Sequence, residues 1–300
     1  MLAADPIDLV PGSAEWMSLM TASKDAAVVG LSPYVSHFTL WHVLAGNLPP
    51  DEAMTPAQRR GHLLEDAVAR YVAEEHGLHL VPGGSWRNRE RTWQAATPDR
   101  LAIPDGLSGW LQSDAVVECK TAADFEDWGP DKTDQVPAYV RAQVLWQLDT
   151  LGLRRGYVGV LLPYLSFRSY VIEANPGEAE YLRKEARAFL DTVAAGTEPD
   201  IDTHGSTYPT IRQLHPDIEA RTVDVDPKTA DRYVAAVLAF RAAKREEAAA
   251  KTLIAHAMGS ARSAVHAATG ALIARRESKN GGIPYVKAAD TLTATTEEIK

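Results

Sequence analysis

The stretch Val116-Val117-Glu118-Cys119-Lys120, preceded by Thr97-Pro98-Asp99-Arg100, decides how this chain is read. Two apolar residues followed by Glu-Cys-Lys fit a β-strand, where side chains two positions apart share a face. Glu118 and Lys120 then point together, while Val117 and Cys119 face the opposite packing layer. Pro98 fixes the approach of the backbone and places Asp99 at a turn or strand start, nineteen positions before Glu118. Two strands joined by a turn bring these carboxylates together.

Such a set suits hydrolysis of a phosphodiester. A hard cation takes oxygen ligands, polarises a phosphate and acidifies a bound water. A neighbouring lysine orients that water and offsets charge in the transition state. By itself, Glu-x-Lys more often marks the solvent face of an edge strand, so its weight comes from its surroundings. Glu65, in Gly61-His62-Leu63-Leu64-Glu65, lies on the helix before the sheet, where a third carboxylate can reach a metal; a solvated helical Glu is the commoner role. Tyr139 and Gln143 lie one helical turn apart on the helix after it. A packing pair is the ordinary reading of those two.

Working outward, residues 1–50 read as two helical pieces, the first capped by Thr21 or Ser23 and the second around His37 to Ala45. Thr55 to His76 reads as a helix, with Thr55 at the N-cap, Pro56 in the first turn and Gly77 just past the end. Leu64, Val68, Tyr71 and Val72 make its apolar face. From Leu78 to Cys119 short apolar runs alternate with Pro and Gly, the pattern of strands and turns. Helix returns over Gln135 to Leu151, strands over Tyr157 to Leu162 and Arg168 to Ile172, and helix again over Glu178 to Ala195. This order predicts an α/β fold with a mixed central sheet flanked by helices. Residues 1–200 form that core, 201–222 a polar linker, and 223–300 a mainly helical appendage. The appendage contains a long helix from Pro227 to about Met258 and a β-hairpin around Thr269-Gly270.

At 300 residues, with 45% hydrophobic and 24% charged, the chain has the composition of a globular protein. The apolar runs are too short to cross a bilayer, and the first ten residues carry no basic residue, which predicts a cytoplasmic protein with no membrane partner. The single cysteine, Cys119, excludes an intrachain disulfide framework and four-cysteine metal sites. A formal charge of −9 argues against a protein that coats nucleic acid, not against an enzyme with a basic groove. Residues 241–287 hold nine Lys or Arg and three Glu, a local net of +6 against −15 elsewhere. No Gly-x-Ser-x-Gly is present to suggest a serine hydrolase.

The ordered set Gly61 to Glu65, Pro98-Asp99, Glu118-x-Lys120, then Tyr139 to Gln143 and Val144-Leu145-Trp146-Gln147, resembles the PD-(D/E)xK nucleases. More narrowly, it is similar to the YqaJ-type viral recombinases, relatives of lambda exonuclease. Thr21-Ala22-Ser23 and Gly30-Leu31-Ser32-Pro33-Tyr34 match that family's opening, and the resemblance runs from about Trp16 to Gly196. It implies a restriction-endonuclease-like core in which Asp99 and Glu118 bind Mg²⁺ or Mn²⁺, as one or two ions, with the backbone carbonyl of Cys119 as a further ligand. Glu65 is then a ligand or near neighbour, Lys120 activates or positions the attacking water, and Gln143 fixes Lys120 or the phosphate. The implied reaction is 5′-to-3′ digestion of double-stranded DNA from a free end, in a phage or prophage, leaving a 3′ strand for a single-strand annealing protein. A ring-like homo-oligomer is family analogy alone.

Members of this family usually carry an Arg shortly before Thr-Ala-Ser, and Trp16 to Met20 holds no basic residue. Ser23, Lys24, Arg59, Arg60 and Tyr139 are the residues left to meet DNA or phosphate, roles that compete with ordinary surface or packing positions. Two alternatives stand beside the exonuclease: an endonuclease or RecB-like repair nuclease on the same core, and a catalytically silent DNA- or protein-binding module.

Overall fold

Ala115–Thr121 is the strand β6, and the sheet is built around it. The computed structural model describes residues 2–10, 13–49, 54–104, 107, 112–290 and 292. The chain divides into two units, Met1–Ile218 and Glu219–Lys300.

In the first unit the chain begins with strand β1, Ala4–Ile7, and the short helices α1, Ala14–Ser18, α2, Ala22–Val28, and α3, His37–Leu44. Helix α4, Pro56–His76, opens on a capping box in which Thr55 and Gln58 satisfy each other's backbone N–H groups. It stops at Gly77, whose φ of 64° suits a residue without Cβ. Strands β2, His79–Pro82, β3, Ser85–Asn88, β4, Ala95–Ala96, and β5, Arg100–Ile103, lead into β6. Helix α5, Ala138–Leu151, then precedes the hairpin of β7, Arg155–Leu162, and β8, Ser166–Glu173, and helix α6, Pro176–Ala195, follows.

The main sheet runs β2-β5-β6-β7-β8. Only β6 and β7 pair in parallel, so the sheet is mixed, as the order of elements predicts. Helices α4 and α5 cover opposite faces. Val117 packs with Val72 of α4, while Val116, Val158 and Val160 pack with Val144 and Leu148 of α5. Two glycines of β7 allow this closeness. A Cβ on Gly159 would lie 2.4 Å from Val72, and one on Gly156 would lie 2.4 Å from Val144.

Several elements differ from the sequence expectation. Strand β1 falls in the stretch read as helical; it pairs with β3, which pairs with β4 in a second small sheet. Its four residues are too few for an alternation to register. Helix α5 begins at Ala138 rather than Gln135, because Pro137 has no N–H and takes the cap position. The expected linker 201–222 contains helix α7, Thr207–Leu214. Thr207 and Thr210 are buried, and Thr210 and Ser206 share hydrogen bonds with Thr39 at 2.8 and 2.9 Å. A hydroxyl-rich stretch reads as solvated until its partner hydroxyls are known.

The second unit holds helix α8, Pro227–Met258, and an antiparallel sheet of β9, Ser263–Val265, β10, Leu272–Glu277, and β11, Tyr285–Ala288. The expected hairpin is β9–β10, and β11 adds a strand that the sequence did not announce. Met258, Ala274 and Val286 form its small core. Pro50, which follows Pro49 after α3, lies outside the described residues.

Candidate active site

Strand pairing creates the site. β5 pairs with β6 only as far as Arg100 opposite Val117, so beyond that point β6 has lost its neighbour on this side. Asp99, one residue before β5, fills the gap: its Oδ2 accepts a 2.7 Å bond from the Cys119 N–H. The proline before it and the end of the ladder together set this carboxylate against the strand that carries Glu118.

Glu118 is 2% exposed and points to the α5 side. Its Oε1 accepts from Lys120 Nζ at 2.5 Å and from Gln143 Nε2 at 2.5 Å, and its Oε2 accepts from Gln147 Nε2 at 2.8 Å. Lys120 Nζ also donates to Gln143 Oε1 at 2.9 Å, which closes a ring of three side chains. A buried carboxylate is held only when its lone pairs are met. Here one lysine and two amides meet them.

The charges bear on one another. Burial, then the charge of Glu118, pushes the Asp99 carboxyl up to about 8, against the pull of Lys120 and of the Cys119 N–H. Burial lowers the affinity of Lys120 for its proton, but Glu118 and Asp99 outweigh it and raise the ammonium above its usual range. Lys120 is therefore a charged donor at neutral pH. The Cys119 thiol is pushed up by burial and by Asp99, which makes it inert as a nucleophile.

Other candidate residues are placed less uniformly. Glu65, on α4, accepts from Arg100 Nη1 at 2.5 Å and lies 3.7 Å from His62, while Arg100 Nη2 donates to Asp66 at 2.5 Å. Its charge is felt at Asp99, but its hydrogen bond goes to Arg100. Among the described residues no three His, Cys, Asp or Glu side chains converge on one ion position. Tyr139 is half-buried and packs edge-on against Tyr34, with ring centroids 5.9 Å apart. Ser23, Arg59 and Arg60 are exposed. Trp128 is buried against Tyr170.

Lys24 is a correction. It is 4% exposed, and its ammonium donates to the carbonyls of Trp16 and Leu19, the latter at 2.7 Å, beneath the Trp16 ring. It ties down the end of α1 and is not available to a phosphate. A lysine after Thr-Ala-Ser looks like surface charge because the carbonyls that bury it belong to another element.

Three residues without an assigned role in the sequence reading belong to the site. Gln147 completes the shell of Glu118; its spacing of four from Gln143 on one helix was the available signal. Arg100 claims Glu65, as an arginine next to a carboxylate motif could suggest. Tyr34 packs on Tyr139 and bears on Lys120; the Gly30-to-Tyr34 motif marks its stretch, but nothing local gives the tyrosine a role.

A mixed α/β domain with two carboxylates, a lysine and two glutamines gathered at the end of a central strand defines the class. Residues 16–154 match the model of the YqaJ-like viral recombinase domain. The chain is 26% identical over 203 residues to the uncharacterized protein YqaJ of Bacillus subtilis (strain 168). That match covers 65% of this chain and 60% of the relative's length. Among solved structures, an alkaline exonuclease from Laribacter hongkongensis superposes with a TM-score of 0.47 at 18% identity, over 60% of this chain and 90% of that one. A phage related exonuclease from Haemophilus somnus 129PT gives 0.42 at 12%, over 59% and 96%.

Proposed function

We propose that this protein is a divalent-metal-dependent DNA exonuclease that digests linear duplex DNA 5′-to-3′ in the cytoplasm of a phage- or prophage-carrying cell. The 3′ strand it leaves would go to an annealing protein. The observation that carries the reading is the gathering of Asp99, Glu118, Lys120 and Gln143 at one end of β6, inside a YqaJ-like domain.

The donors fit a hard cation. Asp99 and Glu118 crowd each other enough to raise Asp99 to about 8, a strain that a divalent ion relieves. In a strand the N–H and C=O of one residue leave on the same side. The Cys119 carbonyl therefore faces the gap that Asp99 occupies. Asp99, Glu118 and this carbonyl would hold Mg²⁺ or Mn²⁺, with Glu65 as a charged neighbour secured by Arg100. When bound, the ion supplies charge for the phosphate and lowers the pKa of water. Lys120 keeps its proton and offers it as a donor to the attacking water and to the charge that develops on phosphate. Gln143 holds Lys120 and Glu118 in register, and Gln147 fixes the far oxygen of Glu118. Ser23, Arg59 and Arg60 are the exposed residues available to the DNA backbone.

Linear and closed circular duplex, each with Mg²⁺ or Mn²⁺, test this reading. Nucleotide release from the linear form only, abolished by EDTA and reduced at least ~100-fold in Glu118→Gln and Lys120→Ala, is expected. No release from linear duplex with either metal overturns it. Cutting of the circle replaces it with the endonuclease alternative.

A further inference from the structure

Helix α8 is 32 residues long, about 48 Å, and its two halves meet different surroundings. Toward the C-terminus Ile254 and Met258 pack with Ala264, Ala274 and Val286 of the small sheet, and the groove between helix and sheet begins at Glu247. The N-terminal half carries Tyr233, Val234, Leu238 and Phe240, which are 71%, 54%, 57% and 70% exposed. At 100° per residue these four and the half-buried Val237 fall within an arc of about 160° on one side of the helix. Aromatic and β-branched residues weaken a solvated helix, so local propensity does not account for the stripe. An apolar stripe of this size is the mark of a surface that another surface covers.

The charges beside the stripe choose the occupant. Asp231, Arg241 and Lys244 form no ion pair among the described residues, and Asp226 caps the start of the helix. A second α8 laid antiparallel, with Val234 against the partner's Val237, sets Tyr233 beside the partner's Phe240. The same register brings Asp231 to the partner's Arg241 and Asp226 to the partner's Lys244. A two-fold axis repeats each contact, so two kinds of ion pair become four. Parallel helices would instead place Arg241 and Lys244 against their own copies, and like charges repel. The antiparallel overlap covers residues 227–244 and stops short of Glu247, where the helix turns to its own sheet. The five apolar side chains and their flanks bury roughly 1,000 Å² over both copies, near the lower bound for a specific interface.

We propose that the N-terminal half of α8 is a self-association surface through which two copies of this protein pair antiparallel into a two-fold dimer. A stripe that meets its own charge complement when turned end for end fits a second copy of the chain. The surface lies outside the residues that match the recombinase domain, and the inference stands independently of the nuclease reading.

Sedimentation of the full chain from about 1 to 100 µM tests this, since an interface of that size dissociates in an accessible range. Wild type should rise with concentration to twice the mass of a double variant carrying Val234→Glu and Val237→Glu. Dilute samples of the two should melt alike, because the stripe is largely exposed in the single chain. Asp231→Arg alone should weaken association roughly tenfold. Adding Arg241→Asp to the same chain should restore it. Residues ten apart lie ~15 Å apart along a helix, so this rescue reports a contact between copies. Equal masses for wild type and the glutamate variant at every concentration overturn the proposal. A double charge exchange that stays as weak as Asp231→Arg overturns it as well.

Discussion

Two adjacent residues of α2 set the chemistry of the N-terminal region by burial alone. Asp25 is fully buried, and neither carboxylate oxygen meets a hydrogen-bond partner among the described residues. Burial pushes its carboxyl up from 3.8 to about 8, and pulls the Lys24 ammonium down to about 7. A carboxyl with a raised folded pKa binds its proton more tightly in the native state, so stability falls as pH rises from about 4 toward about 8. The Lys24 contribution runs the other way and only above pH 7. Between pH 5 and 7 Asp99, also raised to about 8, adds a slope of the same sign, and comparison with a variant lacking the Asp25 carboxyl isolates the Asp25 part. Thermal melts of wild type and Asp25→Asn should therefore diverge by several degrees in favour of the variant over that window; parallel curves would show that Asp25 has a partner. At the site itself, Gln147 is 0% exposed and donates to Glu118. Gln147→Met keeps the volume but leaves a buried carboxylate oxygen bare, which should cost about 1–3 kcal/mol in denaturant unfolding. It should also lower kcat more than it raises KM.

Between elements, the contact of α4 with the sheet depends on Gly159. The carbon that alanine would add meets Val72 at 2.4 Å and Val68 at 2.8 Å, both on a helix fixed by its own caps. Gly159→Ala should destabilise the protein by about 1–3 kcal/mol through overpacking. Because Gly159 stands opposite Cys119, the shift reaches the site, and digestion should slow as well. Thr55→Ala removes the capping box and should cost roughly 1 kcal/mol, with kcat unchanged. Sequence rules read this level well where a helix carries its own punctuation. Thr55, Pro56 and Gly77 bounded α4 because caps are local chemistry. They failed for β1 and for α7, whose stability comes from β3 and from the hydroxyls of Ser36 and Thr39.

For the whole molecule, the boundary after Ile218 matters more than the polar composition of 201–222. The buried Thr207 and Thr210 and the bond that the Ser36 N–H donates to Ser206 Oγ make α7 part of the first unit. A protein ending at 218 should melt cooperatively near the full-length value and retain nucleotide release. One ending at 200 strips the partners of Ser36 and Thr39 and should melt several degrees lower. Equal melting of the two would return the stretch to the status of a linker.

The sequence by itself determined the alternation of helix and strand, the shared face of Glu118 and Lys120, and the helix-borne Gln143. Each follows from periodicity or spacing inside one element. The resemblance to YqaJ-type recombinases was legible for the same reason, as a set of short motifs in a fixed order. Only the tertiary structure decided that Asp99 closes onto the Cys119 N–H where β5 ends, that Gln147 completes the shell of Glu118, that Arg100 takes Glu65, and that Lys24 is buried. Those outcomes depend on which carbonyls, amides and charges other elements bring within hydrogen-bond reach, and a linear sequence carries no measure of that distance.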